Sequence, residues 1–479
     1  MFSKFIDENK NEIISKTCEL IKIPSVSEET NNPSLPFGEN CTNALNYILE
    51  LGNSLGFRTK NIDNYCGYIE FGEGEELVGI IGHLDVVPAL KEDGWTTPPF
   101  SPEVRDGKLF GRGSIDDKGP VIASLYAMKA VKDSCKISKR VRLIIGLNEE
   151  KNWKCINYYK EHEEWPSIGF SPDANFPGIF AEKGILSVEI KNDFKIKDFE
   201  ILDISTNNNA INVVPKYASI TLKAISNSIL ENIIDESENY ISNLRNINND
   251  TTISLSKLEN NVIKIEVFGI AAHAAHPELG KNAIKILAEF LLENFEFETE
   301  YLKAIYEAGL FDIESPKFMC ENKLEDESGV LTSNVAILEY ENENNKLVIK
   351  INLRVPVTSS LDEIQNKYNS LFNNIEVSKL SVQEPLYVEK DSYLVKTLVD
   401  IFNKKSGLNA NPIAIGGGTY ARAFENFISY GLTMPSKKDM CHQVDEFVEI
   451  DDLILASKIY AEAIYELAKW FLGRSQKSS

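Results

Sequence analysis

Apolar positions along the first third of the chain follow two periods in turn. In residues 3–22, Phe5, Ile13, Ile14, Cys18 and Ile21 fall near helical spacing, which predicts an amphipathic helix ending before Pro24. Residues 43–55 predict a second helix that stops near Gly56. Short apolar runs at 68–71, 77–81 and 141–147 predict strands. Between the last two, residues 120 to about 132 predict a helix. Pro120 suits a first turn because no backbone donor is needed there, and Val121, Leu125 and Met128 share one face. Strand–helix–strand alternation of this kind predicts an α/β domain whose mostly parallel sheet is flanked by helices.

The middle of the chain reads differently. Residues from about 185 to 382 are rich in Asn, Glu, Ile and Lys, with alternating stretches at 187–190, 219–223, 262–267 and 347–353. Helical stretches at 228–245, 282–294 and 360–371 separate them. This pattern predicts an α+β lid domain, residues 185–382, inserted into a domain made of 1–184 and 383–479. After Pro385 the first pattern resumes, with helices expected at 395–403, 421–427 and 451–471.

Charge narrows the function classes. Seventy-two acidic residues against 50 basic ones give a formal net charge of −22, which argues against nucleic-acid or anionic-membrane partners. No apolar run approaches the ~20 residues of a membrane span. Seven cysteines without a CxxC pair predict no disulfide framework and a reducing compartment. The stretch MFSKFIDENKNEIISK is too charged for a signal-peptide core. A soluble cytoplasmic protein is expected.

Candidate chemistry gathers where strands end. The chain has 5 histidines, and one of them, in GIIGHLDVVP, follows the apolar run at 77–81, with Asp85 two residues beyond His83. Ligands and catalytic groups collect at the carboxyl ends of strands in open α/β sheets. Four further segments are alike in kind: GRGSIDDKGP with Asp116 and Asp117, LIIGLNEE with Glu149 and Glu150, GFSPDANFP with Asp173, and MCHQVDEF with His442. Taken singly, each has a plainer explanation. An HxD fits a packed strand end, a Glu-Glu pair a solvated turn, and an Asp before a helix an N-cap. Together, two imidazoles and several carboxylates suit zinc or a similar divalent ion. The surplus of carboxylates favours two metals about 3.5–4 Å apart with a bridging carboxylate, able to activate water at neutral pH. The Gly416–Gly418 run lacks the GK[ST] of a phosphate loop, and a turn is its default reading.

These segments resemble the active-site signatures of the zinc metallopeptidase family that includes aminoacylase and carboxypeptidase G, and above all the long bacterial dipeptidases of the PepV type. The strings HLDVVP, GWTTPPF, GRGSIDDKGP, NEEKNWKC, SPDANFP, AEKG, NVVP, AAHAAHP, NLRVP, PLYVEKDS, GGGTYAR and HQVDEFVEIDDL run in the family's order over nearly the whole chain. The resemblance implies that His83 and Asp173 bind one zinc ion, Glu150 and His442 a second, and Asp116 bridges them, with manganese or cobalt as alternative metals. Asp117 has a competing claim as the bridge, and the pattern G-R-G-S-x-D-x-K-G selects Asp116. The resemblance further implies that Glu149 is the general base and that Asp85 orients His83. In the lid, His273 would polarise the substrate carbonyl with support from Asn212. Arg354 would pair with the substrate carboxylate, to which Gly416, Gly417 and Gly418 would offer amides. A self-sufficient monomer is expected.

The chain departs from the family pattern around the glutamate pair. Leu147-Asn148 stands where Thr-Asp is usual, and Lys151-Asn152 where a small pair is usual. Asn175, Ser436, Lys438 and Cys441 also differ. An ammonium of Lys151 close to Glu149 would lower its pKa and weaken the base. His276 reads as a bystander and His162 as a surface residue. Three functions fit: a metal-dependent dipeptidase acting on short peptides with a free N-terminus, a deacylase of N-acyl amino acids on the same metal site, and a non-catalytic peptide-binding relative.

Overall fold

All seven residues of the strand Leu77–His83 are buried, because neighbours cover both of its faces. Such a strand reads as an unbroken apolar run rather than an alternating one. The computed structural model that places it describes residues 2–247, 252–320, 322–371 and 375–469. The chain divides into two compact units. The first consists of Met1–Ala181, Leu386–Ile413 and Gly418–Ser479, the second of Glu182–Pro385 and Ala414–Gly417.

In the first unit the strands Arg140–Gly146, Leu77–His83, Ile168–Ser171 and Phe427–Ser429 lie side by side and parallel. Cys66–Phe71 and then Arg58–Ile62 extend the sheet in antiparallel fashion. The helices Lys118–Ser134 and Ile450–Ala468 pack on each other and on Leu77–His83. Lys118–Ser134 is buried on nearly every side, as its sequence IASLYAMKAV requires of an almost wholly apolar helix.

The second unit holds two antiparallel four-stranded sheets. One runs Thr332–Glu341, Lys346–Val355, Gly184–Asp193, Glu376–Gln383. The other runs Phe199–Ser205, Tyr217–Ala224, Val262–Phe268, Thr252–Lys257. In Val262–Phe268 the buried Ile263, Ile265 and Val267 alternate with more exposed residues, the mark of a sheet with one covered face. The helices Asn227–Ile247 and Ala283–Asn294 cover that face.

Three local expectations change. The helix over 3–22 is two helices, Phe2–Glu8 and Lys10–Ile21. At the break, the Asn9 side chain donates to the Phe5 carbonyl at 2.8 Å and so competes with the helical ladder. Residues 421–427 are not a helix. A short 3-10 turn, Tyr420–Ala423, leads into the strand Phe427–Ser429, whose pairing with Ile168–Ser171 overrides local propensity. The last helix is Ile450–Ala468, and residues 470 and 471 of the expected helix lie outside the described ones. Among the described residues no helix is long and apolar enough to cross a membrane.

Candidate metal centre

Three adjacent parallel strands deliver most of the site. His83 ends Leu77–His83, Glu149 and Glu150 follow Arg140–Gly146, and Asp173 follows Ile168–Ser171. Asp116 and Asp117 come from the turn before Lys118–Ser134, and His442 from a turn before Ile450–Ala468. The sheet therefore carries these side chains on one rim, as expected at the carboxyl ends of parallel strands.

Two clusters of possible ligand atoms result. His83, Asp116 and Asp173 form one, and Asp116, Glu150 and His442 the other, each with its atoms within 4.8 Å of one another. Asp116 belongs to both. Its Oδ1 lies 3.1 Å from His83 Nε2, and its Oδ2 lies 3.0 Å from His442 Nε2. His442 Nε2 is also 3.0 Å from Glu150 Oε1, and His83 Nε2 is 3.4 Å from Asp173 Oδ2.

Asp117 faces elsewhere. Its Oδ2 accepts the backbone N–H of His83 at 3.0 Å; it belongs to neither cluster and does not cap the helix whose N-cap position it occupies. Gly82 makes room for it, since a Cβ there would sit 2.4 Å from Asp117 Oδ2.

The residues present fit divalent metal ions. His83 Nε2 and Asp116 Oδ1 are both buried, and although 3.1 Å apart they form no aligned hydrogen bond with each other or with any other group among the described residues. Buried polar atoms rarely remain unsatisfied, and imidazole nitrogen with carboxylate oxygen is the donor set of zinc and similar ions.

The orientation of His83 comes from the main chain. Its Nδ1 is 2.9 Å from the backbone oxygen of Asp85 and 3.5 Å from the Asp85 carboxylate. A proton held on Nδ1 by that carbonyl leaves the Nε2 lone pair for a metal. The Asp85 carboxylate instead accepts the backbone N–H groups of Glu149 and Glu150, at 3.0 and 3.1 Å.

Charge balance follows from burial. Burial alone would lower His83, but Asp116, Asp173 and Asp85 overcome it and raise its pKa well above the ordinary value. His442 is likewise pushed up to about 11, with Asp116 and Glu150 outweighing burial. Those imidazoles hold Asp116 below the usual carboxylate range despite its burial. Burial, reinforced by Asp173, Glu150 and Asp85 against the opposing His83, raises Glu149 well above its ordinary value. Lys151 is exposed, and the balance at Glu149 runs upward rather than down.

Two supports were not read from the sequence. Glu446, wholly buried, takes the Arg112 guanidinium at 2.6 Å and the backbone N–H groups of Gly113, Ile115 and Asp116 at 3.0–3.3 Å. Arg112 also donates to the His442 carbonyl at 3.4 Å. The signal available was a carboxylate four residues after His442. Asn148 is buried. It donates to Ser27 at 2.9 Å and accepts the Lys154 N–H at 3.3 Å, which closes the glutamate turn.

The other candidate residues lie in the second unit, except Gly418. Arg354, on Lys346–Val355, is buried and donates to the Gly416 carbonyl at 2.9 Å. Gly416 packs on Ala275, whose Cβ would lie 3.0 Å from a Cβ at Gly416. Thus Arg354, Gly416 and the turn bearing His273 are neighbours. His273 and Asn212 are exposed, and their segments pair through a bridge between Val213 and His273. His276 is exposed beside Glu278. His162, also exposed, stacks on Tyr158 with ring centroids 3.9 Å apart.

Residues 79–466 match the Peptidase family M20/M25/M40. The chain is 38% identical over 470 residues to a Bacillus subtilis protein named "Putative dipeptidase YtjP", covering 96% of this chain and 98% of that one. It is 34% identical over 479 residues to a "Putative dipeptidase" of Staphylococcus epidermidis, covering 98% and 99%. The crystal structure of human carnosine dipeptidase 1 shares the fold, with a TM-score of 0.57 at 16% identity and 98% of each chain covered. With the match spanning most of the chain and both metal-ligand clusters falling inside it, this protein belongs to the Peptidase family M20/M25/M40.

Proposed function

We propose that this protein is a metal-dependent dipeptidase that cleaves short peptides with a free N-terminus. The observation that carries the reading is Asp116, whose two carboxylate oxygens face two separate ligand clusters. The relatives named as dipeptidases support it. His83 and Asp173 would hold one ion, Glu150 and His442 the other, with Asp116 shared. Two zinc ions, or manganese or cobalt in their place, would supply Lewis acidity toward a scissile carbonyl and lower the pKa of water.

The chain's own residues do the rest. Glu149, raised by burial, takes a proton from the attacking water and returns it to the leaving amine. Asp85 fixes the backbone of Glu149 through its N–H. The second unit acts as a lid that recognises substrate. Arg354 pairs with the free carboxylate, joined by the amides of Gly416, Gly417 and Gly418. His273, supported by Asn212, stabilises charge developing on the carbonyl oxygen. Buried free thiols at Cys41, Cys66 and Cys155 suit a reducing cytoplasm, and a monomer is the assembly this reading takes.

The test is a side-by-side assay of Ala-Ala, β-alanyl-histidine and N-acetyl amino acids before and after chelation. Dipeptide hydrolysis that is lost on chelation and restored by zinc, manganese or cobalt supports the reading. Preference for N-acetyl amino acids would make the protein a deacylase on the same site, and undiminished hydrolysis after complete metal removal would overturn both.

A further inference from the structure

We infer that Asn334 and Asn209 form a clamp on the Val213 carbonyl that positions Asn212 and His273 for substrate. The inference rests on the reading of those two residues as substrate-side groups. Both are exposed, so their placement depends on the backbone that carries them.

That backbone is a small ladder. Val214 N–H donates to the Ala272 carbonyl at 2.8 Å, and Ala274 N–H to the Asn212 carbonyl at 2.9 Å. The Val213 carbonyl points out of this ladder and is taken by two side chains. Asn209 Nδ2 donates to it at 2.9 Å and Asn334 Nδ2 at 3.0 Å. Both acceptor sites of the carbonyl are therefore filled.

Each donor ties the ladder to the sheet beneath it. Asn334 is only 1% exposed and sits within the strand Thr332–Glu341. Asn209 also donates to Ala336 of that strand at 3.0 Å. Asn282, the N-cap of Ala283–Asn294, donates to the next carbonyl, that of Val335, at 2.8 Å. Three asparagines thus converge on one point of the sheet.

The ring of His273 is oriented by the same turn. Its Nδ1 is 3.2 Å from the Ala275 N–H, which can only donate. The neutral ring then carries its proton on Nε2, the tautomer that offers a donor to a carbonyl oxygen. A shift of the ladder would misdirect that donor without removing it.

The test uses the full-length, metal-loaded enzyme with Ala-Ala and the isosteric substitution Asn334→Asp, which replaces the donor by an acceptor. Amide exchange at Val214 and Ala274 should rise about tenfold or more, while Ile349 and Ile351 stay protected. The value of kcat should fall about tenfold with KM changed less than twofold, because misplacement acts on the transition state. In a His273→Ala background the same substitution should cost nothing further in kcat. Asn209→Ala, at a less buried position, should act in the same direction and guards against misfolding of the first variant. Unchanged exchange at both amides in both variants, or an equal kcat loss with and without His273, would overturn the clamp. Full activity of His273→Ala would overturn the reading of His273 itself, whereas the exchange rates report on the clamp independently.

Discussion

Asp85 Oδ1 accepts the backbone N–H of Glu149 at 3.0 Å, so a carboxylate two residues beyond His83, past one strand end, fixes the proposed base past the next. Its other oxygen takes the N–H of Glu150, and its main-chain oxygen holds His83 Nδ1. One buried residue thereby holds a member of each candidate cluster and the proposed base.

Asp85→Ala tests this coupling. It leaves two backbone donors without their acceptor, at a cost of about 1–3 kcal/mol each where they stay buried. Metal affinity should fall about 10–100-fold, as for loss of a group that orients ligands. Competition with a chromophoric chelator measures it, and unchanged affinity would contradict the role.

Glu149→Gln separates proton transfer from metal holding. Activity on a dipeptide should fall by a factor of about 10²–10⁴ while metal content stays at the wild-type level, since Glu149 belongs to neither cluster. Steady-state kinetics and elemental analysis on one preparation decide it. Loss of metal together with activity would instead make Glu149 a ligand.

Glu446 is predicted to matter for both folding and metal. Its side chain and that of Arg112 are 0% and 5% exposed, so Glu446→Ala strands a buried cation and should cost about 3–5 kcal/mol. The three backbone donors it releases include that of Asp116. Denaturant unfolding gives the stability change, and a variant as stable as wild type would contradict the account.

The clustering of these side chains was legible in the sequence because polar residues at strand ends leave a local signature. An apolar run followed at once by His83, or by Glu149 and Glu150, marks a buried strand that meets a polar rim. What Asp117 and Glu446 do could not be read that way. The Asp117 carboxylate turns to the His83 amide across 34 residues, and Glu446 reaches back to a loop some 330 residues earlier. Such contacts depend on how strands are ordered, not on spacing. The strand Phe427–Ser429 was missed for a related reason. Three residues carry no period, and only the neighbouring strand Ile168–Ser171 selects an extended chain there.

Metal uptake should depend on pH in a defined direction. In the metal-free protein, carboxylates raise the pKa of His83 and push that of His442 up to about 11. Both imidazoles then hold a proton more tightly than a free histidine does, and ligation must expel it. Affinity therefore rises with pH. Calorimetry at pH 7 in buffers of different ionisation enthalpy should find net proton release on metal loading, and no release would contradict it. The same raised values stabilise the metal-free fold below the ordinary histidine pKa. That contribution fades as pH climbs through the folded values, so its melting temperature should decline toward alkaline pH.

The central claim is that Asp116 is shared by two metal sites, and metal content per chain tests it most directly. After metal loading and removal of excess ions, elemental analysis should find two divalent ions per chain in the wild type. His83→Ala and His442→Ala should each retain one, and Asp116→Ala should lose both along with dipeptide hydrolysis. An Asp116→Ala protein that still holds two ions and cleaves dipeptides would contradict the account.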